Sequence, residues 1–379
     1  MKKLSNYYWS IVLISFILIP SFLASLTALG NISTDVADGI SHKRVKRWLN
    51  GAPAIVNILT INPKKSKSFV RPSNGSYFIN SVKRVKEIVH IENAVAGINA
   101  SYFKPDNGAP IGLSIIDNKI LTGPLFKRVS LGISENNEYI MGKVDIKGEI
   151  SIGDAIKLPL FNVNQPVFSK YRFNIFTDKW GKRTPKTSVY YSQVVIKDNK
   201  VSYIKNSRVL IPKDGYVIVG PHNRLPKNIK VGDQVSYSAQ LVPDNWNSIK
   251  YAISGGPYLV KEGQRFIDKQ NFSRRFLWSK APRTAIGYTK GGILILVTVD
   301  GRHPGFSEGA TLPELSTIMR ELGAYNAMNL DGGGSTQMVI NGKLVNYPAV
   351  KGGSKVTNAL VIGGANAHHN VINPSSDDI

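Results

Sequence analysis

The chain has 379 residues, no cysteine, and 48 Lys/Arg against 25 Asp/Glu, a formal charge of +23. The missing cysteines exclude disulfide staples, a thiolate nucleophile and any Cys-ligated zinc or iron–sulfur centre. Length and apolar content are those of a globular protein with its own core, and strand-like segments outnumber helix-like ones, which predicts a β-rich mixed fold.

The charge is uneven: Met1 to His90 holds 13 Lys/Arg and 3 Asp/Glu, so this quarter alone carries +10 (13 − 3). A Lys-rich solvated surface accounts for that. The functional alternative is attraction to anionic polymers such as envelope polysaccharides, phosphate-bearing glycans or lipid headgroups. Nucleic acid ranks last, because no zinc finger, RNA-binding aromatic signature or helix-turn-helix pattern accompanies the charge.

In chain order, Lys2 and Lys3 precede an apolar stretch from Tyr7 to Leu29. Residues 1–30 therefore read as a signal peptide or a signal anchor, the apolar run being long enough, at about 20 residues, for either. The protein is expected to be exported to the periplasm, cell envelope or exterior, with membrane association through this segment if it is retained. Residues 31–51 read as a basic linker ending in HKRVKRW, and 365–379 as a disordered tail, leaving 52–364 as the folded unit. Ile55 to Ile61 is predicted as a first strand. Ser81 can cap a short helix whose apolar face is Val82, Val85, Ile88 and Val89. Ala94 to Ile98 is a strand delivering Asn99, Ser101, Tyr102 and Phe103 into a loop. Asp117-Asn118, Asp198-Asn199 and Asn341-Gly342 are each placed to turn a hairpin, the last being the strongest such signal. From about Ile146 to Leu241 the pattern is that of a β-rich elaboration.

The stretch from Pro282 to Gln337 is the most informative. A buried-type strand, Ile293 to Val299, ends in Asp300-Gly301-Arg302. Thr311-Leu312-Pro313-Glu314 is a capping box with proline in the first turn, opening a helix along Leu312, Leu315, Ile318, Met319 and Leu322 that Gly323 stops. A second strand, Ala327 to Leu330, runs into Asp331-Gly332-Gly333-Gly334-Ser335. Asp-Gly pairs are commonly mere turns, but three consecutive glycines after an aspartate imply unusual dihedrals or close approach of backbone to ligand. If the two strands are parallel neighbours, Asp300 and Asp331 share one edge of a mixed sheet. Gly305-Phe306-Ser307-Glu308-Gly309 fits the nucleophile-elbow pattern, and Asp331 and His368 follow in the hydrolase order. DGRHP separates that serine from its strand, however, which argues against an elbow. No phosphate loop or HExxH motif is present.

Taken together, NASYF, ISGGPYLVKEG, PRTAIG, VDGR with SEGAT, and NLDGGGST followed by LVNYP resemble the phosphodiester glycosidase family, over about Ala52 to Ile362 and with the blocks in order. The chain departs from the family pattern at Pro348-Ala349 and at Lys355. The resemblance implies a single catalytic domain of α+β class: mixed, strongly twisted β-sheets, a few packed helices and the β-rich elaboration. It implies hydrolysis of a sugar 1-phosphodiester through an oxocarbenium-like transition state. Asp300 and Asp331 are assigned to the anomeric centre, in either order, as nucleophile or stabiliser and as water-activating base. Arg283 and Arg302 would hold the phosphate. Asn99, Ser101, Gly255, Gly256, Ser307, Gly333 and Ser335 would line the sugar and phosphate pocket. No cofactor is assigned with certainty; one aspartate could instead bind a structural divalent cation such as calcium. The competing class is a non-catalytic cationic envelope protein that binds anionic exopolysaccharide or peptidoglycan.

Overall fold

Alternation along the chain explains the central sheet. In the Leu294–Val299 strand, Leu294 and Leu296 enter one apolar core while Ile295, Val297 and Val299 enter another. A strand with apolar residues on both faces must be covered on both faces. The computed structural model describes residues 32–66 and 68–363; the apolar N-terminal segment, His368 and the acidic tail lie outside them.

Eight strands form this sheet in the order 32–37, 40–49, 52–61, 294–299, 283–288, 326–329, 258–261, 264–265. Every pairing in it is antiparallel. The expected mixed sheet with 294–299 beside 326–329 is thus corrected. Those two strands do run parallel, but the 283–288 strand is inserted between them and is antiparallel to both. The helix α3, Leu312–Glu321, carries the chain across that inserted strand. The Thr311 side chain accepts from the Glu314 backbone N–H and Glu314 reciprocates, so the cap is the one its sequence announces. Leu312, Leu315, Ile318 and Met319 are fully buried against the sheet with Ala285, Ile295 and Val297. Each such burial contributes roughly 1.5–3 kcal/mol.

Residues 31–51 are not a linker. Ile32–Ala37 and Ile40–Leu49 are the first two strands of the sheet, the second in register with Ala52–Ile61 along its whole length from Leu49↔Ala52 to Ile40↔Ile61. Ile40 and Val45 are buried, while Lys43 and Lys46 point outward. The joint is Asn50-Gly51, both at positive φ (46° and 79°), a two-residue turn whose twist suits an antiparallel pair. High local charge conceals a strand whose Ile40 and Val45 are buried while Trp48 is exposed.

The other expected hairpins form as the turn chemistry requires, with positive φ at Asp117-Asn118, Asp198-Asn199 and Asn341-Gly342. The β-rich elaboration is a seven-stranded sheet that opens and closes on one pairing, Asp145↔Val242. Helix α1, Val85–Ile91, buries Val85, Ile88 and Val89 as its spacing demands, but starts from Arg84 rather than Ser81, because the Glu87 side chain reaches back to the Arg84 N–H. The short α2, Arg274–Trp278, is capped by Ser273. The whole is largely β, with few helices. A five-stranded sheet containing Ala94–Asn99 faces the central sheet across a shared core of Leu59, Leu296 and Met328 against Ile98 and Leu360.

Candidate active site

The site forms where the Ala94–Asn99 strand meets the edge of the central sheet. Asn99 makes the seam. Its Nδ2 donates to the Asp331 carbonyl (2.6 Å), and its Oδ1 accepts from Thr284 Oγ1 (2.8 Å) and the Gln337 N–H (3.1 Å). The Asp331 N–H donates to the Ala100 carbonyl (3.0 Å). Asn99 is fully buried with its amide spent on protein partners, so it positions the Asp331 turn and does not line the pocket.

Asp331 is half-buried, and its carboxylate accepts from the Gly332 N–H (2.9 Å) and the Ser335 hydroxyl. Burial pushes its pKa up to about 6, with those two donors opposing the shift. The glycine run serves close approach. Gly333 has φ +62°, and a Cβ there would lie 3.2 Å from Arg302 Nη2, so a side chain would displace the guanidinium resting over this turn. Arg302 itself is exposed, with no hydrogen-bond or ion-pair partner among the described residues, and its charge acts on Arg283.

Asp300 sits on the far side of the inserted strand and is sealed, with 0% exposure. Its Oδ1 accepts from Asn346 Nδ2 and the Tyr347 N–H, both at 3.0 Å, while Oδ2 has no hydrogen-bond partner. Burial raises its pKa to about 6 against those bonds and the nearby charges of Arg44 and His303. The two aspartates therefore share an end of the sheet but not an environment: Asp331 keeps part of its surface accessible and Asp300 is shut away behind the 346–347 segment.

The remaining expected residues divide in the same way. Arg283 is 3% exposed, its Nε donating to the Ala310 carbonyl (2.8 Å) and its Nη2 to those of Phe276 (2.9 Å) and Ser279 (2.7 Å). Burial lowers its pKa to about 10. A guanidinium so engaged ties α2 to the sheet and leaves only Nη1 without a hydrogen-bond partner among the described residues, so it offers a phosphate one nitrogen and not a two-pronged fork. Ser101 is buried against Asn358, which accepts from its N–H (2.8 Å). Gly255 lies so close to the Asn329 carbonyl that a Cβ would stand 2.4 Å from it. The Gly256 carbonyl accepts from the Tyr102 hydroxyl (2.8 Å), which places Tyr102 and Asn329 beside the Asp331 turn (Asn329 Nδ2 to Tyr102 hydroxyl 2.5 Å). Among the described residues no group of three or more His, Asp or Glu side chains converges, and no step below is routed through a cation.

Ser307 is a pin, not a nucleophile. Its hydroxyl donates to the Asp300 carbonyl (2.6 Å) and accepts from the Ile55 N–H (2.9 Å), with 0% exposure. A fluorophosphonate is expected to leave it unlabelled in the folded protein. S307A is expected to destabilise by about 1–3 kcal/mol in denaturant titrations, because the buried Ile55 N–H is left unpaired. Labelling at Ser307 would overturn this reading.

Residues 190–363 match the family model described as phosphodiester glycosidase. Over that segment, a little under half of its length, the chain is similar to the phosphodiester glycosidase family. The N-acetylglucosamine-1-phosphodiester alpha-N-acetylglucosaminidase of Mus musculus is 29% identical over 158 residues, 38% of this chain and 27% of the relative. The chain thus matches about a quarter of the length of that curated relative. Among solved structures, a hypothetical protein from Synechocystis superposes with TM-score 0.80 at 25% identity, covering 88% of this chain and 64% of that one. The zebrafish N-acetylglucosamine-1-phosphodiester alpha-N-acetylglucosaminidase catalytic domain superposes with TM-score 0.51 at 16% identity, covering 88% of each chain, which shows a shared fold. The matched segment holds Asp300, Asp331 and both arginines, whereas Asn99, Ser101 and Tyr102 enter the site from outside it.

Two site residues escaped the sequence reading. Asn346, which holds Asp300, lies in the LVNYP block, but nothing in its spacing announces a partner 46 residues away. Arg128, taken up below, has no motif around it.

Proposed function

We propose that this protein is a hydrolase that cleaves a sugar 1-phosphodiester of the N-acetylglucosamine type, exported to act on anionic or phosphate-bearing glycans of the cell envelope or exterior. The observation that carries the proposal is Asp331: a partly accessible residue whose carboxylate is held by Ser335 and Gly332 beside the unpartnered Arg302. The bond broken joins the anomeric carbon to a phosphate oxygen. As it lengthens, positive charge grows on the sugar ring, and the Asp331 carboxylate stabilises it or attacks it. The electron pair leaves with the phosphate monoester, a weak enough base to depart without a strong general acid. Arg302 offsets the charge gathering on that group. Water then supplies hydroxyl to the anomeric carbon, and its proton passes to the phosphate or to solvent.

Of the two aspartates, Asp331 is given the reacting centre, because a side chain with no exposed surface cannot touch a sugar. Asp300 is given a positioning role through Asn346 and Tyr347.

The test is to incubate the protein with an N-acetylglucosamine 1-phosphodiester between pH 5 and 8. Free sugar and phosphate monoester are followed by chromatography and phosphorus NMR. Release of both in equal amounts is expected. Binding of the diester with no release above buffer would favour the non-catalytic glycan-binding class instead.

A further inference from the structure

An aromatic column beside the site has a guanidinium at each end. Phe272 and Phe276 stack at 4.6 Å with 15° between their planes. Arg283 lies over Phe276 (5.1 Å) and Arg128 over Phe272 (3.7 Å), Arg128 also facing the Tyr102 ring (5.2 Å). The two ends differ in how their N–H groups are satisfied. Arg283 donates to three carbonyls, whereas Arg128 Nε and Nη1 are buried with no hydrogen-bond partner among the described residues.

Stacking satisfies the faces of a guanidinium but not its edge, where all five N–H groups lie in plane. Buried N–H groups on a cation are costly to leave unpaired, so such an edge is a vacancy for an acceptor. No carboxylate forms an ion pair with Arg128, and burial depresses its pKa. The backbone is committed to this placement. Phe126 and Lys127, immediately before it, both take left-handed φ (56° and 50°), a conformation that non-glycine residues adopt at a cost in strain. The link to Asp331 runs through Tyr102, whose ring Arg128 faces and whose hydroxyl is bonded by Asn329, two residues before Asp331.

We propose that Arg128 forms the oxyanion subsite beside Asp331 and binds the phosphoryl group of the substrate through its unpaired guanidinium edge. This rests on the phosphodiester glycosidase reading above and moves the phosphate contact from Arg283, whose Nε and Nη2 are held by carbonyls, to a residue 155 positions earlier in the chain. Arg128 is half-buried and its Nη2 is not among the buried unpaired atoms, so an incoming phosphoryl oxygen meets Nη2, and the buried Nε and Nη1 add to the contact only when the side chain shifts outward. Phe272 stacks on the plane of that guanidinium, and Tyr102, fixed by Gly256 and Asn329, also faces it.

Two measurements test the assignment. The first is inorganic phosphate binding by calorimetry to wild type, R128Q and R128K. Wild type is expected to bind, R128Q to bind at least tenfold more weakly, and R128K, which keeps charge and stem but loses the fork, to fall between. The second is kcat/KM on the N-acetylglucosamine 1-phosphodiester and on a neutral aryl N-acetylglucosaminide. R128Q is expected to lose about a hundredfold on the diester and less than threefold on the neutral glycoside. Phosphate binding by R128Q equal to wild type, no phosphate binding by wild type, or equal losses on both substrates would each overturn the subsite. Should wild type turn over neither substrate yet bind phosphate in an Arg128-dependent way, the hydrolase reading falls and the oxyanion subsite stands.

Discussion

Replacing Asp331 with Asn is expected to lower turnover of a sugar 1-phosphodiester at least about a thousandfold while leaving the fold intact. The substitution removes the charge that an oxocarbenium-like transition state needs but keeps a side chain of the same shape. The Asn oxygen still accepts from Gly332 and Ser335, and the backbone bonds to Ala100 and Asn99 do not involve the side chain. D331E should also lose activity, by about a hundredfold, because one added methylene moves the carboxylate by roughly 1 Å from its held position. In wild type the acid limb of the pH–rate profile is expected near pH 6, where burial has raised the Asp331 pKa, instead of near 4. Activity appears as the carboxylate ionises, so it falls as pH drops through 6. A D331N variant within tenfold of wild type would remove Asp331 from the chemistry.

The second large effect is on stability and carries the opposite sign from the usual polar-core substitution. D300N is expected to stabilise the protein at pH 7 by about 1–2 kcal/mol and to flatten its stability between pH 4 and 6. The native pKa of Asp300 is about 6 and its ordinary value 3.8. Between those values the native state holds a proton that the unfolded chain has released, so stability declines as pH rises through the window. Above pH 6 the whole penalty is present; below about 4 it is gone. A shift of that size corresponds to about 3 kcal/mol. Asn keeps the Oδ1 acceptor for Asn346 and Tyr347, but leaves a neutral amide where Oδ2 now lacks a partner, which returns part of the gain. The check is denaturant unfolding of both proteins at pH 4, 5, 6 and 7. A D300N protein less stable than wild type at pH 7 would show that the buried Asp300 charge stabilises the fold, and would overturn this expectation. Turnover by D300N is expected within about tenfold of wild type, in contrast to D331N, because Asp300 acts through the 346–347 segment.

Much of the architecture is written in short stretches of sequence. Helix α3 follows from Thr311-Leu312-Pro313-Glu314 and the spacing of Leu315, Ile318 and Met319. The hairpins follow from Asp-Asn and Asn-Gly pairs, whose side chains tolerate positive φ. These signals are local: each depends on residues within one turn or one strand length. Asn50-Gly51 carried the same signal, but the flanking HKRVKRW, polar at most positions, obscured the strand before it. Only pairing with Ala52–Ile61 shows that Ile40 and Val45 face inward.

The sequence by itself determined the elements, the glycine-rich turns and the set of carboxylates and arginines available to the site, because those depend on residue type and near neighbours. The tertiary structure decided which of them are reachable and which are already occupied. Asp300 is sealed by Asn346 and Tyr347, Ser307 is consumed by Ile55 from 252 residues away, and Arg283 has its Nε and Nη2 held by carbonyls. Arg128, with no motif to mark it, is left with an unpaired edge. Exposure and donor saturation are properties of what packs against a group. In an antiparallel sheet stitched by contacts more than 200 residues apart, those neighbours are not legible along the chain.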